Sequence, residues 1–211
     1  MMHPYLTDLL KENAKATIDG RLAELRERYK KRGVPTLLDE SLNELLLVLS
    51  LKRPKKILEL GTSLGCSGIA MLLLCEDAEL YTVENREETR EEALTNFARF
   101  GVSDRVRSFL GEATEEIKKV GEGFDLVFLD CGKSKYKELL PEIKKIMNRG
   151  GVLFADNVLF RGYVTGEVKP PHRHNTIRNN LREFLETLVS DADFITTISE
   201  IGDGISVSVK K

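Results

Sequence analysis

Asp130 closes the apolar run Val127-Phe128-Leu129, and Lys133 follows three residues later. A second run, Gly151-Val152-Leu153-Phe154-Ala155, ends in Asp156-Asn157. Near-continuous apolar runs of this length read as strands buried on both faces. Two such strands that each end in oxygen-bearing side chains suggest one site. Taken singly, each residue has a plainer reading: Asp130 as a helix cap, Asp156-Asn157 as an Asx turn, Lys133 as a solvated lysine at a helix start.

A glycine-containing loop supplies the next chemistry. In Ile57-Leu58-Glu59-Leu60-Gly61, continuing through Gly65 to Ser67-Gly68, a short strand meets a loop and a helix start. Gly61 and Gly65 let backbone approach a ligand, and the helix start offers free N–H groups. Glu84 ends the next strand, where an acid can accept hydrogen bonds from two ribose hydroxyls. A nicotinamide dinucleotide prefers G-x-G-x-x-G, whereas the spacing here is Gly61, Gly65, Gly68 with Glu59 ahead of the first glycine. A carboxylate repels a pyrophosphate and attracts a sulfonium or an amino group. The loop therefore tilts toward S-adenosylmethionine, with an ordinary strand–helix turn as the other reading.

The elements that must position these residues alternate along the chain. Residues 5–32 read as one or two amphipathic helices stopped at Gly33. A capping box, Ser41-x-x-Glu44, predicts a helix from there to about Leu51. Strands are expected at 57–60, 80–83, 106–110, 124–129 and 151–155, and helices at 66–74, 86–100, 114–120, 134–148 and 176–189. That alternation implies an α/β fold with a parallel sheet covered on both faces. Phe194–Ser199 and Ile205–Val209 flank Gly202-Asp203-Gly204, so the chain should end in a hairpin whose last strand is antiparallel. Asp203 is assigned to that turn, with no catalytic role.

Bulk properties narrow the class. The chain has 211 residues, 41% hydrophobic and 31% charged, which suits one domain with a full core. A formal net charge of −2 provides no global basic field for nucleic acid. Cys66, Cys75 and Cys131 form neither a disulfide framework nor a paired metal motif, which points to a reducing compartment. Residues 1–15 lack the apolar core of a signal peptide, and no apolar run approaches the ~20 residues that span a bilayer. The expectation is a soluble, cytoplasmic protein without a membrane partner.

Residues 34–209 resemble the metal-dependent class I O-methyltransferases, the group containing caffeoyl-CoA and catechol O-methyltransferases. The matching pieces are ILELGTSLGCSG, the acid of YTVE, Gly111-Glu112-Ala113, FLDCGKSKY, ADNVLFRG and IGDGI. The resemblance implies a Rossmann-like, seven-stranded, mostly parallel sheet with an antiparallel last strand and helices on both faces. It implies a single domain over 1–211, with 1–33 as a helical extension and 34–211 as the catalytic core. S-adenosylmethionine would contact Glu59, Gly61, Ser67, Glu84, Ala113 and Asp130. Asp130, Asp156 and Asn157 would ligate magnesium, or another divalent cation such as manganese, and Lys133 would be the general base. Hard oxygen donors suit such a cation. Cys131 stands where relatives often have Ala or Asp; methyl transfer needs no covalent intermediate, so it is read as a structural thiol.

The acceptor is approached through Arg161, Lys169, Arg173, Arg178 and Arg182, which face a single acid, Glu167, across residues 161–182. A basic rim beside the site suits a phosphate-bearing substrate; a solvated loop and helix face is the plain alternative. The bacterial relatives that this chain resembles include tRNA 5-hydroxyuridine methyltransferases, whose target base carries vicinal oxygens. A small catechol or a caffeoyl-CoA-like ester is the alternative acceptor. A catalytically inactive cofactor-binding regulator is a second alternative, opposed by the intact Asp130, Lys133, Asp156 and Asn157. Members of the family are often homodimers, which is the expectation here.

Overall fold

The computed structural model describes residues 3–211; Met1 and Met2 of the 1–33 extension lie outside them. Two helices, α1 (Pro4–Thr17) and α2 (Gly20–Lys31), precede a strap at residues 32–38 and helix α3 (Asp39–Lys52). Then follow β1 (Lys56–Leu60), α4 (Cys66–Leu74), β2 (Glu79–Glu84), α5 (Glu87–Arg99), β3 (Val106–Leu110) and the short α6 (Ala113–Glu116). β4 (Phe124–Leu129), α7 (Tyr136–Ile146), β5 (Met147–Asp156), α8 (Asn175–Ser190), β6 (Phe194–Ser199) and β7 (Ile205–Lys210) complete the chain. The sheet has seven strands in the order β3-β2-β1-β4-β5-β7-β6, with β7 antiparallel to both neighbours. This is the expected Rossmann-like architecture.

Side-chain alternation divides the core. Ile57, Leu126, Phe128, Val152 and Phe154 face the layer of α1 to α5. Leu58, Val127, Leu129, Leu153 and Ala155 face the layer of α6 to α8. Every one of these residues is buried, as strands of a doubly covered sheet require.

Several boundaries differ from the sequence expectation: the helix expected at 114–120 ends at Glu116, and the strand expected at 151–155 already begins at Met147. The helix predicted over 134–148 stops at Ile146, because Met147 already pairs with Phe124 of β4 and is buried. Lys133–Lys135 instead form one 3-10 turn ahead of α7. The predicted capping box does not form: Leu38 occupies the N-cap of α3, and no side chain caps that helix. Ser41 lies inside the first turn, and its hydroxyl is used elsewhere.

Candidate active site

Register brings the functional side chains to one edge. Leu60 pairs with Val83 on one side and with Leu129 on the other, and Leu129 pairs with Ala155. The residues that follow these positions, Gly61, Glu84, Asp130 and Asp156, therefore leave the sheet side by side. Ligands of open α/β sheets bind at these carboxyl ends. A cleft of about 730 Å³ opens there, and all four residues line it, together with Ala113, Lys133 and Asn157. The strap residues Val34 to Leu38 form its other wall.

Gly61 has φ +107°, and a Cβ there would stand 2.4 Å from the Asp130 carbonyl oxygen. Its glycine requirement thus comes from the close passage of β4 at least as much as from ligand approach. Glu84 is buried, and its carboxylate is oriented by two backbone donors, the N–H of Ser63 (2.9 Å) and of Arg86 (3.1 Å).

Glu59 and Ser67 do not line the cleft, although both were expected at the cofactor. Glu59 is fully buried beneath the loop. It accepts hydrogen bonds from the hydroxyls of Ser67 (2.5 Å) and Thr82 (2.6 Å). Burial pushes its carboxyl up to about 7, against the opposing pull of these two donors. Glu59 thus ties β1 to β2 and to the start of α4.

At the end of β4, Lys133 Nζ donates to Asp130 Oδ1 at 2.6 Å, and both side chains are partly accessible from the cleft. At the end of β5, Asp156 is 1% exposed, and Ser41 Oγ donates to its Oδ1 at 3.0 Å. Burial first, and then repulsion from Asp130, push Asp156 up to about 7. Asn157 holds φ +56°, a left-handed conformation that asparagine tolerates, and so turns the chain sharply at the cleft. The donor set of two carboxylates and one amide fits a hard divalent cation, and among the described residues no cationic side chain stands within hydrogen-bonding reach of Asp156, Lys133 acting on it only from further away. Among the described residues no group of three or more His, Cys, Asp or Glu side chains could hold a metal ion, so a cation here would rely on the asparagine as well.

Three residues take roles at the site that the sequence did not disclose. Tyr136, fully buried, donates its hydroxyl to the carbonyls of Leu129 (2.9 Å) and Asp156 (3.0 Å), tying the ends of β4 and β5 together. Ser41 reaches Asp156 across the fold. Asp203 keeps its turn role but also lines the cleft and accepts a hydrogen bond from the Arg161 N–H at 2.5 Å, pinning the loop after β5. A buried tyrosine hydroxyl demands a partner, which is the one signal the sequence offered. Cys131 is half-buried at the cleft wall, and burial pushes its thiol up to about 12, which disfavours the reactive thiolate.

The basic rim is less concentrated than expected. None of Arg161, Lys169, Arg173, Arg178 and Arg182 lines the cleft. Arg161, Lys169, Arg173 and Arg182 are exposed, and Arg182 Nε donates to the Val164 carbonyl at 2.7 Å. No described helix is long and apolar enough to cross a membrane.

Comparison with known proteins agrees with this geometry. The model of the O-methyltransferase family matches residues 11–211. The chain is 29% identical to a caffeoyl-CoA O-methyltransferase of Populus kitakamiensis over 200 residues, covering 89% of this chain and 85% of that one. Its fold matches the S-adenosylhomocysteine-bound methyltransferase PaMTH1 of Podospora anserina with a TM-score of 0.85, at 23% identity over 100% of this chain and 97% of that one. It also matches the O-methyltransferase TomG of Streptomyces achromogenes, solved with S-adenosylmethionine, with a TM-score of 0.80 at 24% identity over the whole of both chains. The glycine loop, the acid that ends β2 and these matches place the chain in the O-methyltransferase family, as a class I S-adenosylmethionine-dependent enzyme of the caffeoyl-CoA O-methyltransferase type.

Proposed function

We propose that this methyltransferase requires a divalent cation, magnesium or manganese, held by Asp130, Asp156 and Asn157, and that its acceptor is 5-hydroxyuridine in tRNA. The Asp156 carboxylate carries the metal reading. It is buried at the cleft wall, next to the Asp130 carboxylate, with one hydroxyl donor from a side chain. Burying a second negative charge beside the first is costly unless a cation joins them. Such a cation would supply Lewis acidity that lowers the pKa of a bound acceptor hydroxyl.

The chain's own residues do the rest. Glu84, fixed by two backbone donors, accepts the ribose hydroxyls of the cofactor. Lys133 lies in the cleft, paired with Asp130; were Asp130 engaged by a cation instead, the neutral amine of Lys133 would take the proton of the acceptor hydroxyl. The acceptor oxygen then forms its bond to the methyl carbon as the carbon–sulfur bond breaks, and that electron pair passes to sulfur. The strap at 34–38 keeps water from the reacting atoms.

The tRNA reading is supported by the vicinal 5-hydroxyl and 4-oxo groups of the base and by the exposed Arg161, Lys169 and Arg173 beyond the cleft. A small catechol or CoA ester is favoured by one observation, the absence of all five rim cations from the cleft wall. Exposed Leu6, Leu9, Leu47 and Leu51 on α1 and α3 support a homodimer.

Transfer of labelled methyl from the cofactor to hypomodified tRNA, with a catechol and caffeoyl-CoA in parallel, tests the reading. Label should enter tRNA, disappear in EDTA, return with magnesium, and fall steeply with salt. Full activity in excess EDTA rejects the metal. Label confined to the small acceptors replaces tRNA with that class. No transfer to any acceptor, with cofactor binding intact, favours the regulator.

A further inference from the structure

Ser41 opens a capping-box pattern, yet its hydroxyl does not cap its own helix. The side chain is fully buried, and Oγ–H donates 3.0 Å to Asp156 Oδ1, 115 residues further along the chain. The oxygen is held from the other side by the β6–β7 turn. Gly202 sits so close that a Cβ there would stand 2.6 Å from Ser41 Oγ. Among the described residues no side chain donates to Asp156 Oδ2.

The same helix start anchors the strap. Arg26 Nη2 donates to the Leu37 carbonyl (2.8 Å) and to Asp39 Oδ1 (2.7 Å), and Lys30 Nζ donates to Asp39 Oδ2 at 2.9 Å. Residues 37 to 41 are thus fixed to α2 at one end and to Asp156 at the other. The cleft-wall residues Val34 to Leu38 lie three to seven residues before Ser41.

We infer that Ser41 is a positioning residue for the cation centre. Its hydroxyl occupies Oδ1 of Asp156, selects one rotamer of that carboxylate, leaves Oδ2 for the cation, and couples cation binding to the order of the strap at 34–38. This rests on the metal reading above. Partners of ligating carboxylates act by fixing orientation, and their removal weakens metal binding without removing a ligand.

The test is calorimetric titration of Mn²⁺ into the metal-free full chain without acceptor, for wild type, Ser41→Ala and Ser41→Thr. Ser41→Ala should bind Mn²⁺ about 10–100-fold more weakly, with S-adenosylhomocysteine affinity held within about threefold. Ser41→Thr, which keeps the hydroxyl, should recover most of the affinity. Hydrogen exchange should show Mn²⁺ protecting the strap amides in wild type and not in Ser41→Ala. Equal Mn²⁺ affinity in wild type and Ser41→Ala overturns the inference and leaves the metal reading standing. A threonine variant as weak as the alanine one also overturns it, as does parallel loss of S-adenosylhomocysteine binding in Ser41→Ala. No Mn²⁺ binding by wild type removes both.

Discussion

Glu59 near the end of β1 and Asp156 at the end of β5 are both buried carboxylates pushed up to about 7, in each case chiefly by burial. Their surroundings differ. Glu59 has a hydroxyl donor on each oxygen, from Ser67 and Thr82, and lies outside the cleft. Among the described residues Asp156 has one side-chain donor, Ser41, aided by the Asn157 backbone N–H, and it lines the cleft and faces the repulsion of Asp130. A buried acid whose oxygens are both satisfied within the protein works as a bolt between elements. A buried acid left short of partners at a cavity wall is prepared for a ligand that brings positive charge. A shifted carboxyl alone therefore does not distinguish scaffold from site; access to the cleft and the neighbouring charge of Asp130 do.

The largest effect expected from this contrast is on turnover. Asp156→Asn should abolish metal-dependent methyl transfer, whereas Glu59→Gln should leave it near the wild-type value. In EDTA at pH 8 the Asp156→Asn protein should also unfold at a higher temperature than wild type, because an uncompensated buried charge has been removed. Glu59→Gln with turnover as low as Asp156→Asn would erase the distinction and return Glu59 to the cofactor contacts.

The next effect is smaller and concerns pH. The folded protein holds the Glu59 proton more tightly than the unfolded chain, where the ordinary value is 4.5. The cost of ionising Glu59 is absent below about pH 4.5, grows as pH rises toward 7, and stays constant above. Fully expressed, it amounts to roughly 3 kcal/mol of lost stability. Chemical denaturation of metal-free protein between pH 4.5 and 8 should show wild type losing more stability than Glu59→Gln across that window. Parallel curves would mean that Ser67 and Thr82 compensate the buried charge fully.

The same contrast explains what the sequence disclosed. Strand positions were legible because apolar runs such as 124–129 leave few alternatives, and register then carried Gly61, Glu84, Asp130 and Asp156 to one edge. Which way a buried polar side chain points was not legible. Glu59 precedes Gly61 by two residues, yet its carboxylate lies under the loop rather than in the cleft. Ser41-x-x-Glu44 matches a local capping pattern, but a partner 115 residues away took the hydroxyl. Local motifs report what a residue can bond; the tertiary fold decides which partner wins. The basic residues at 161–182 fared likewise, since spacing could not foretell that none of the five would line the cleft.

Tyr136 offers the finest test, because it joins the two strand ends without contributing a carboxylate. Its hydroxyl serves the carbonyls of Leu129 and Asp156 at once, and its ring packs edge-on against Phe184 with centroids 5.5 Å apart. Tyr136→Phe keeps the ring and the packing and leaves those carbonyls without this donor. Losing a buried hydrogen-bond donor of this kind costs about 1–3 kcal/mol, so urea denaturation should show a midpoint shift with an unchanged slope. If the strand ends must stay joined for Asp130 and Asp156 to act together, Mn²⁺ affinity should fall in Tyr136→Phe while S-adenosylhomocysteine affinity stays put. A variant that loses stability but keeps full Mn²⁺ affinity would show that the two acids are positioned independently. Asp156 would then owe its place to Ser41 and its own burial, and the ends of β4 and β5 would be two neighbouring parts rather than one unit.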